Sequence, residues 1–140
     1  MLEWLYDSER NELRDIVAAV SDARDTSIKF GELTAQWQKA VLACKKGYAS
    51  SLNDYTNDLG ARLIIQEIID MASRGLKAKL QKEVEEMDKL FSAVTQELPA
   101  DLLTLNEKRD GYKYSLYSRI PTKLVGALKD DLEEIGFSAG

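Results

Sequence analysis

The sequence predicts an all-α fold, a single-domain bundle of about five helices spanning residues 1–140, with a small β-hairpin or ordered loop near residues 102–120. Three observations lead there. Apolar residues return at helical spacing in segment after segment, Gly and polar breaks separate those segments, and one short stretch switches to alternation. No internal repeat, low-complexity tract or Pro/Ser-rich linker marks a domain boundary.

Leu13, Ile16, Val17 and Val20 form an i, i+3, i+4, i+7 stripe, which predicts a first helix over residues 8–24 with Asp7 or Ser8 as its cap. Leu2, Leu5 and Tyr6 would extend the same face. Asp25-Thr26-Ser27 breaks the pattern, and after Gly31 a second stripe runs through Leu33, Trp37, Ala40, Val41 and Cys44. Lys45-Lys46-Gly47 closes it with cations in the last turn and a glycine beyond.

Leu52, Tyr55 and Leu59 precede Gly60 and then the most apolar stretch, Leu63 to Met71. Its isoleucines suit a strand on propensity, yet Ile65, Ile68, Ile69 and Ala72 keep helical spacing, and helix is the expectation, bent or divided at Gly60. After Ser73-Arg74-Gly75, the residues Leu76, Leu80, Val84, Met87, Phe91 and Val94 give the cleanest amphipathic helix of the chain. Its other face, Lys77, Lys79, Lys82, Glu83, Glu85, Glu86, Asp88 and Lys89, reads as solvated.

Beyond Pro99, Leu103 and Leu105 alternate with polar residues up to Asp110-Gly111, and Tyr112, Tyr114 and Leu116 alternate after it. Alternation on both sides of Asp-Gly signals a hairpin, which must lie on the helices to be stable. Pro121 then suits the first turn of a last helix, with Leu124, Val125, Leu128, Leu132 and Ile135 inward.

Composition narrows the function. The 140 residues include no histidine and one cysteine, and the 24 acidic against 19 basic residues leave a net charge of -5. Without histidine the usual triads, zinc sites and neutral-pH general bases are closed off. An acidic chain of pI near 4.9 is a poor match for nucleic acid or anionic membrane and a natural complement to a basic protein surface. No apolar run approaches a membrane span, no signal peptide is visible, and one unpaired cysteine fits a reducing compartment, so a cytoplasmic protein without cofactor is expected.

Cys44 stands on an apolar stripe and reads as a small buried hydrophobe. The catalytic reading that survives is an all-carboxylate Mg²⁺ site, since that ion takes oxygen ligands. Glu67 and Asp70 on one helix and Glu83 and Glu86 on the next share the i, i+3 spacing, which is similar to the helical motifs of all-α nucleotide pyrophosphohydrolases in reversed order. For binding, Asp54, Tyr55 and Asp58 group before Gly60, while Tyr112, Tyr114, Tyr117 and Arg119 crowd the non-helical segment. Tyrosine and arginine anchor many interfaces, and carboxylates beside them can stand in for phosphates before a basic nuclease.

The run Thr26-Ser27-Ile28-Lys29-Phe30-Gly31-Glu32, with the Trp37 helix after it, resembles the start of small helical immunity proteins of the bacteriocin and contact-dependent-inhibition types. Asn57 to Arg62, Met87 to Phe91 and Tyr117 to Pro121 likewise resemble a set of small bacterial proteins. The resemblance implies a protein that binds a toxin domain and blocks its active site. A helical adaptor or oligomerising subunit is the remaining alternative.

Overall fold

The computed structural model describes residues 5–97, 119–134 and 136. Among these, five helices and one two-stranded antiparallel sheet follow in the order α1 (Asp7–Ala23), α2 (Phe30–Lys46), α3 (Leu52–Met71), α4 (Arg74–Val94), β1 (Thr95–Glu97), β2 (Arg119–Pro121) and α5 (Gly126–Glu134). The fold is therefore the all-α bundle with a small sheet that the spacing predicts.

Helix α3 lies at the centre, packed on α1, α2, α4 and α5, and α2 packs on α4 as well. One apolar cluster joins them, with Trp37, Val41, Leu59, Ile65, Ile68, Ile69, Leu76, Leu80, Leu128 and Leu132 almost fully removed from water. The isoleucine-rich stretch is helical because Ile65, Ile68 and Ile69 fall on one face, which α3 buries between its neighbours. Gly60 neither ends nor divides that helix.

Polar contacts fix the helix ends. The Tyr6 amide donates to Glu9 Oε1 at 2.9 Å, so the cap of α1 is Tyr6 rather than Asp7 or Ser8. Glu12 of α1 accepts from both the amide and the hydroxyl of Ser73 at 2.6 and 2.7 Å, placing a carboxylate at the N-terminus of α4 where the helix dipole favours it. Lys79 pairs with Glu9 at 2.5 Å and rests 4.1 Å from the centre of the Tyr6 ring. The Glu9 carboxyl is held below its ordinary value of 4.5 mainly by that Lys79 bond, with the Tyr6 amide adding to it. Arg24 grips Glu67 through two bonds of 2.6 and 3.3 Å, tying the far end of α1 to α3.

Gly47 ends α2 at φ 116, a backbone region that other residues enter only under strain. Its missing side chain lets Val125 approach, since a Cβ there would stand 3.2 Å from Val125 Cγ2.

The C-terminal part departs from expectation. Pro121 does not open the last helix: it is buried in β2, opposite Thr95, and α5 starts five residues later at Gly126. The Pro ring lacks an N–H, which an edge strand tolerates, and the chain uses residues 122–125 to turn toward the α2–α3 connection. There Leu124 bridges to Tyr48 in parallel, and the Ala127 amide donates to the Ala49 carbonyl at 3.0 Å. Leu128 and Leu132 point inward as predicted, whereas Val125 remains 39% exposed. The two strands, Thr95–Glu97 and Arg119–Pro121, lie outside the predicted Leu103–Leu116 alternation. That alternation, the Asp110-Gly111 turn and the side chain of Ile135 fall outside the described residues.

Cys44 is 1% exposed, and burial pushes its thiol up to about 12, with the negative charge of Asp58 adding to the shift. A thiol that is neither accessible nor ionised should not react with an aromatic disulfide reagent near neutral pH. Labelling of the native protein is expected only at the rate of opening; immediate stoichiometric labelling without denaturant would contradict this burial.

Candidate interaction surface at the α3 end of the bundle

The predicted binding residues that the structure describes meet at one end of the bundle, where the α2–α3 connection, the start of α3, β2 and α5 converge. Ser51 caps α3 by accepting from the Asp54 amide at 3.1 Å, which sets Asp54 in the first helical turn. Its exposed carboxylate makes no hydrogen bond or ion pair among the described residues. Asp131 of α5 accepts from the Leu52 amide at 2.9 Å and so docks the last helix against this first turn. Asp130, Glu133 and Glu134 stand exposed on the same helix. Two helices therefore bring a set of solvent-facing carboxylates to one end.

Tyr55, predicted as a contact, is instead a core residue. It is 2% exposed, packs edge-on to Tyr48 with centroids 5.2 Å apart, and donates its hydroxyl to the Arg119 carbonyl at 2.7 Å. Tyr55 stands four residues before Leu59, on the face that α3 turns inward, and burial there raises its hydroxyl pKa.

Arg119 is likewise committed to the scaffold. Its Nε donates to Thr95 Oγ1 at 2.8 Å, and Nη2 donates to the Thr95 and Ser92 carbonyls at 2.9 and 3.2 Å. A guanidinium at the C-terminus of α4 satisfies carbonyls the helix leaves unpaired and suits the dipole. It also clamps β2 onto β1.

Asp58 is half-buried and faces inward. It accepts from the Tyr48 hydroxyl at 2.5 Å and from Gln36 Nε2 at 3.2 Å. Burial first, and the Asp58 bond and charge second, push the Tyr48 hydroxyl well above its ordinary value, so it remains a donor. Asp58 thus joins α2, α3 and the connection between them. Tyr112, Tyr114 and Tyr117 fall outside the described residues.

The four carboxylates considered for Mg²⁺ are divided between different surroundings. Glu67 is held by Arg24, Asp70 accepts from Gln66 at 2.9 Å, and Glu83 and Glu86 line an open groove of about 580 Å³ with Gln38 and Met87. No group of three or more candidate metal ligands occurs among the described residues.

Sequence reasoning missed a second polar centre. Asp88 of α4, read as part of a solvated face, accepts from Trp37 Nε1 at 2.9 Å and takes both Arg62 Nε and Nη2, at 2.9 and 2.8 Å. Three helices are locked through one carboxylate. Trp37 and Arg62 are distant in sequence, and no local spacing links them to Asp88. No helix among the described residues is long and apolar enough to cross a membrane. In comparisons with known proteins, no family model, no curated protein and no solved structure matches this chain.

Proposed function

We propose that the chain is an immunity or antitoxin-type protein that binds a basic bacterial toxin domain, a nuclease being the fitting class, and occludes its active site stoichiometrically. The observation that carries this reading is the acidic end just described. Asp54 is exposed and unpaired among the described residues at the start of α3, and α5, which Asp131 docks against that turn, carries the exposed Asp130, Glu133 and Glu134. With a net charge of -5, such an end accelerates encounter with a basic cleft and takes the place of substrate phosphates within it. The resemblance of the Thr26–Glu32 run to immunity proteins points the same way.

The test is titration of the purified protein into basic nuclease domains of secreted bacterial toxins. Cleavage should disappear at one equivalent, and association should slow steeply as salt rises. Asp54→Asn should slow association severalfold while lowering the melting temperature by no more than a few degrees, because the side chain makes no hydrogen bond or ion pair among the described residues and contributes only its charge at the first turn of α3. An association rate equal at low and high salt would remove the steering argument. Nucleoside triphosphate turnover with Mg²⁺, abolished by Glu67→Gln, would put hydrolysis ahead of inhibition.

A further inference from the structure

The outer face of α2 has the opposite character to the rest of this acidic protein. Lys39, Lys45 and Lys46 are all exposed there, and Leu42 among them is 39% exposed. On a helix, the residues beside Leu42 are those three and four positions away, namely Gln38, Lys39, Lys45 and Lys46. Three of these four neighbours are lysines.

None of the three lysines has an acidic residue at three or four positions in either direction. Four other cations of the molecule are matched: Lys89 with Glu85 at 3.2 Å, Arg24 with Glu67, Arg62 with Asp88 and Lys79 with Glu9. Lys39, Lys45 and Lys46 make no ion pair or hydrogen bond among the described residues. The helix dipole accounts for cations in the last turn, but it does not reach Lys39.

The stripe continues across Gly47. Val125, also 39% exposed, comes within 3.2 Å of the position a Gly47 Cβ would occupy, and the Lys123 Cβ within 4.0 Å. Exposed Lys123 is also unpaired among the described residues. Three uncompensated lysines therefore border exposed Leu42 on α2, and Val125 with Lys123 adjoins the end of that helix at Gly47.

We infer that this stripe docks an acidic segment of a partner protein, one that presents carboxylates around an apolar side chain. Charge complementarity argues for carboxylates, and Leu42 and Val125 argue for an apolar anchor between them. A nucleic acid or an anionic bilayer extends its charge far past the stripe and meets the overall repulsion of a chain at -5, whereas a short acidic segment engages the lysines alone. This surface is separate from the acidic end and of opposite sign, so it stands or falls independently of the inhibitor reading.

The experiment is an NMR titration of the uniformly ¹⁵N-labelled full chain with a short amidated helical peptide carrying Glu residues around one Leu. Saturable shifts are expected in the last two turns of α2 and in residues 122–126. The Kd should rise at least tenfold in Lys39→Glu/Lys46→Glu, and a peptide with Lys in place of Glu should bind that variant better than the wild type. Leu42→Ser should weaken binding with the lysines intact, separating the apolar anchor from the charge. Unchanged thermal melts of both variants would establish that the exposed substitutions leave the fold in place; a collapsed melt for the double variant leaves Leu42→Ser to decide. The inference is overturned if the Glu peptide gives no saturable shift, if its shifts map elsewhere, or if Leu42→Ser binds as tightly as wild type. Equal binding of the stripe by a DNA oligonucleotide or by phosphatidylserine vesicles would also overturn it.

Discussion

Asp88→Ala is expected to lower the unfolding free energy by about 3 kcal/mol, far more than any other surface-facing carboxylate of α4. Two partners lose their acceptor at once. The Arg62 side chain is only 12% exposed, so its guanidinium would keep its charge in a poorly hydrated place, and its Nη1 already lacks a hydrogen-bond partner among the described residues. Breaking a fully buried ion pair from one side costs about 3–5 kcal/mol; Asp88 is 36% exposed, which brings the ionic part down to about 2. Trp37, 1% exposed and 4.9 Å from Phe91 between ring centres, would be left with an unsatisfied indole N–H, adding about 1 kcal/mol. Glu85→Ala supplies the contrast. Its pair with Lys89 is exposed on both sides, and its loss should cost less than about 0.5 kcal/mol. Urea unfolding measures both variants; a similar small effect for each would show that the Asp88 bonds do not hold the helices together. Asp88→Asn should fall between them, since an amide oxygen can still accept from Trp37 but brings no charge to Arg62.

How much of this was legible in the sequence depends on the range of the interactions concerned. The stripes from Leu13 to Val20, Leu33 to Cys44 and Leu76 to Phe91 are all inward-facing because periodicity is local and a helix needs only one apolar face to find its place. The isoleucine stretch of α3 was ambiguous on propensity and resolved by spacing, because burial of one helical face outweighs β-propensity. Pro121 misled because the rule for proline in a first helical turn is equally satisfied by an edge strand. Only the pairing of Thr95 with Pro121, across an insertion of more than twenty residues, decides between them.

The candidate site was less legible for the same reason. Asp54 is where a surface carboxylate should be, but Tyr55 was grouped with it although its spacing to Leu59 already marked it as inward. Asp58 and Arg119 looked like charges for a partner, and their actual partners, Tyr48, Gln36, Thr95 and Ser92, become neighbours only after the chain folds. Asp131, which brings α5 to the start of α3, lies 79 residues from Leu52. The unbalanced lysines of α2 were visible as residues in the sequence. Their isolation was not, because the capping rule explained Lys45 and Lys46 before their surroundings were known.

Gly126→Ala should destabilise the protein by about 3 kcal/mol, while Gly31→Ala should be neutral or slightly stabilising. The substitution is the same, and the sites differ in two respects. Gly126 has φ 57, which costs alanine about 1–2 kcal/mol, and a Cβ there would lie 2.7 Å from the Ala49 carbonyl oxygen. That contact sets a Cβ with no rotamer freedom against backbone, so relief requires moving α5 away from the α2–α3 connection, at the expense of the 3.0 Å bond from the Ala127 amide to Ala49. At Gly31 nothing lies within 4 Å of the new methyl, and alanine is the better helix former. The displacement should also reach the acidic end, because Asp131 holds the Leu52 amide only while α5 is seated. Under the inhibitor function proposed above, Gly126→Ala is therefore expected to weaken binding of the toxin domain through misplaced carboxylates of α5, at temperatures where the bundle is still folded. Thermal melting and the inhibition titration measured on one preparation separate the two effects. A melting temperature within about a degree of wild type would rule out the close packing of Gly126 on Ala49 as a determinant of stability. Inhibition retained at full strength in a destabilised variant would place the binding surface away from α5.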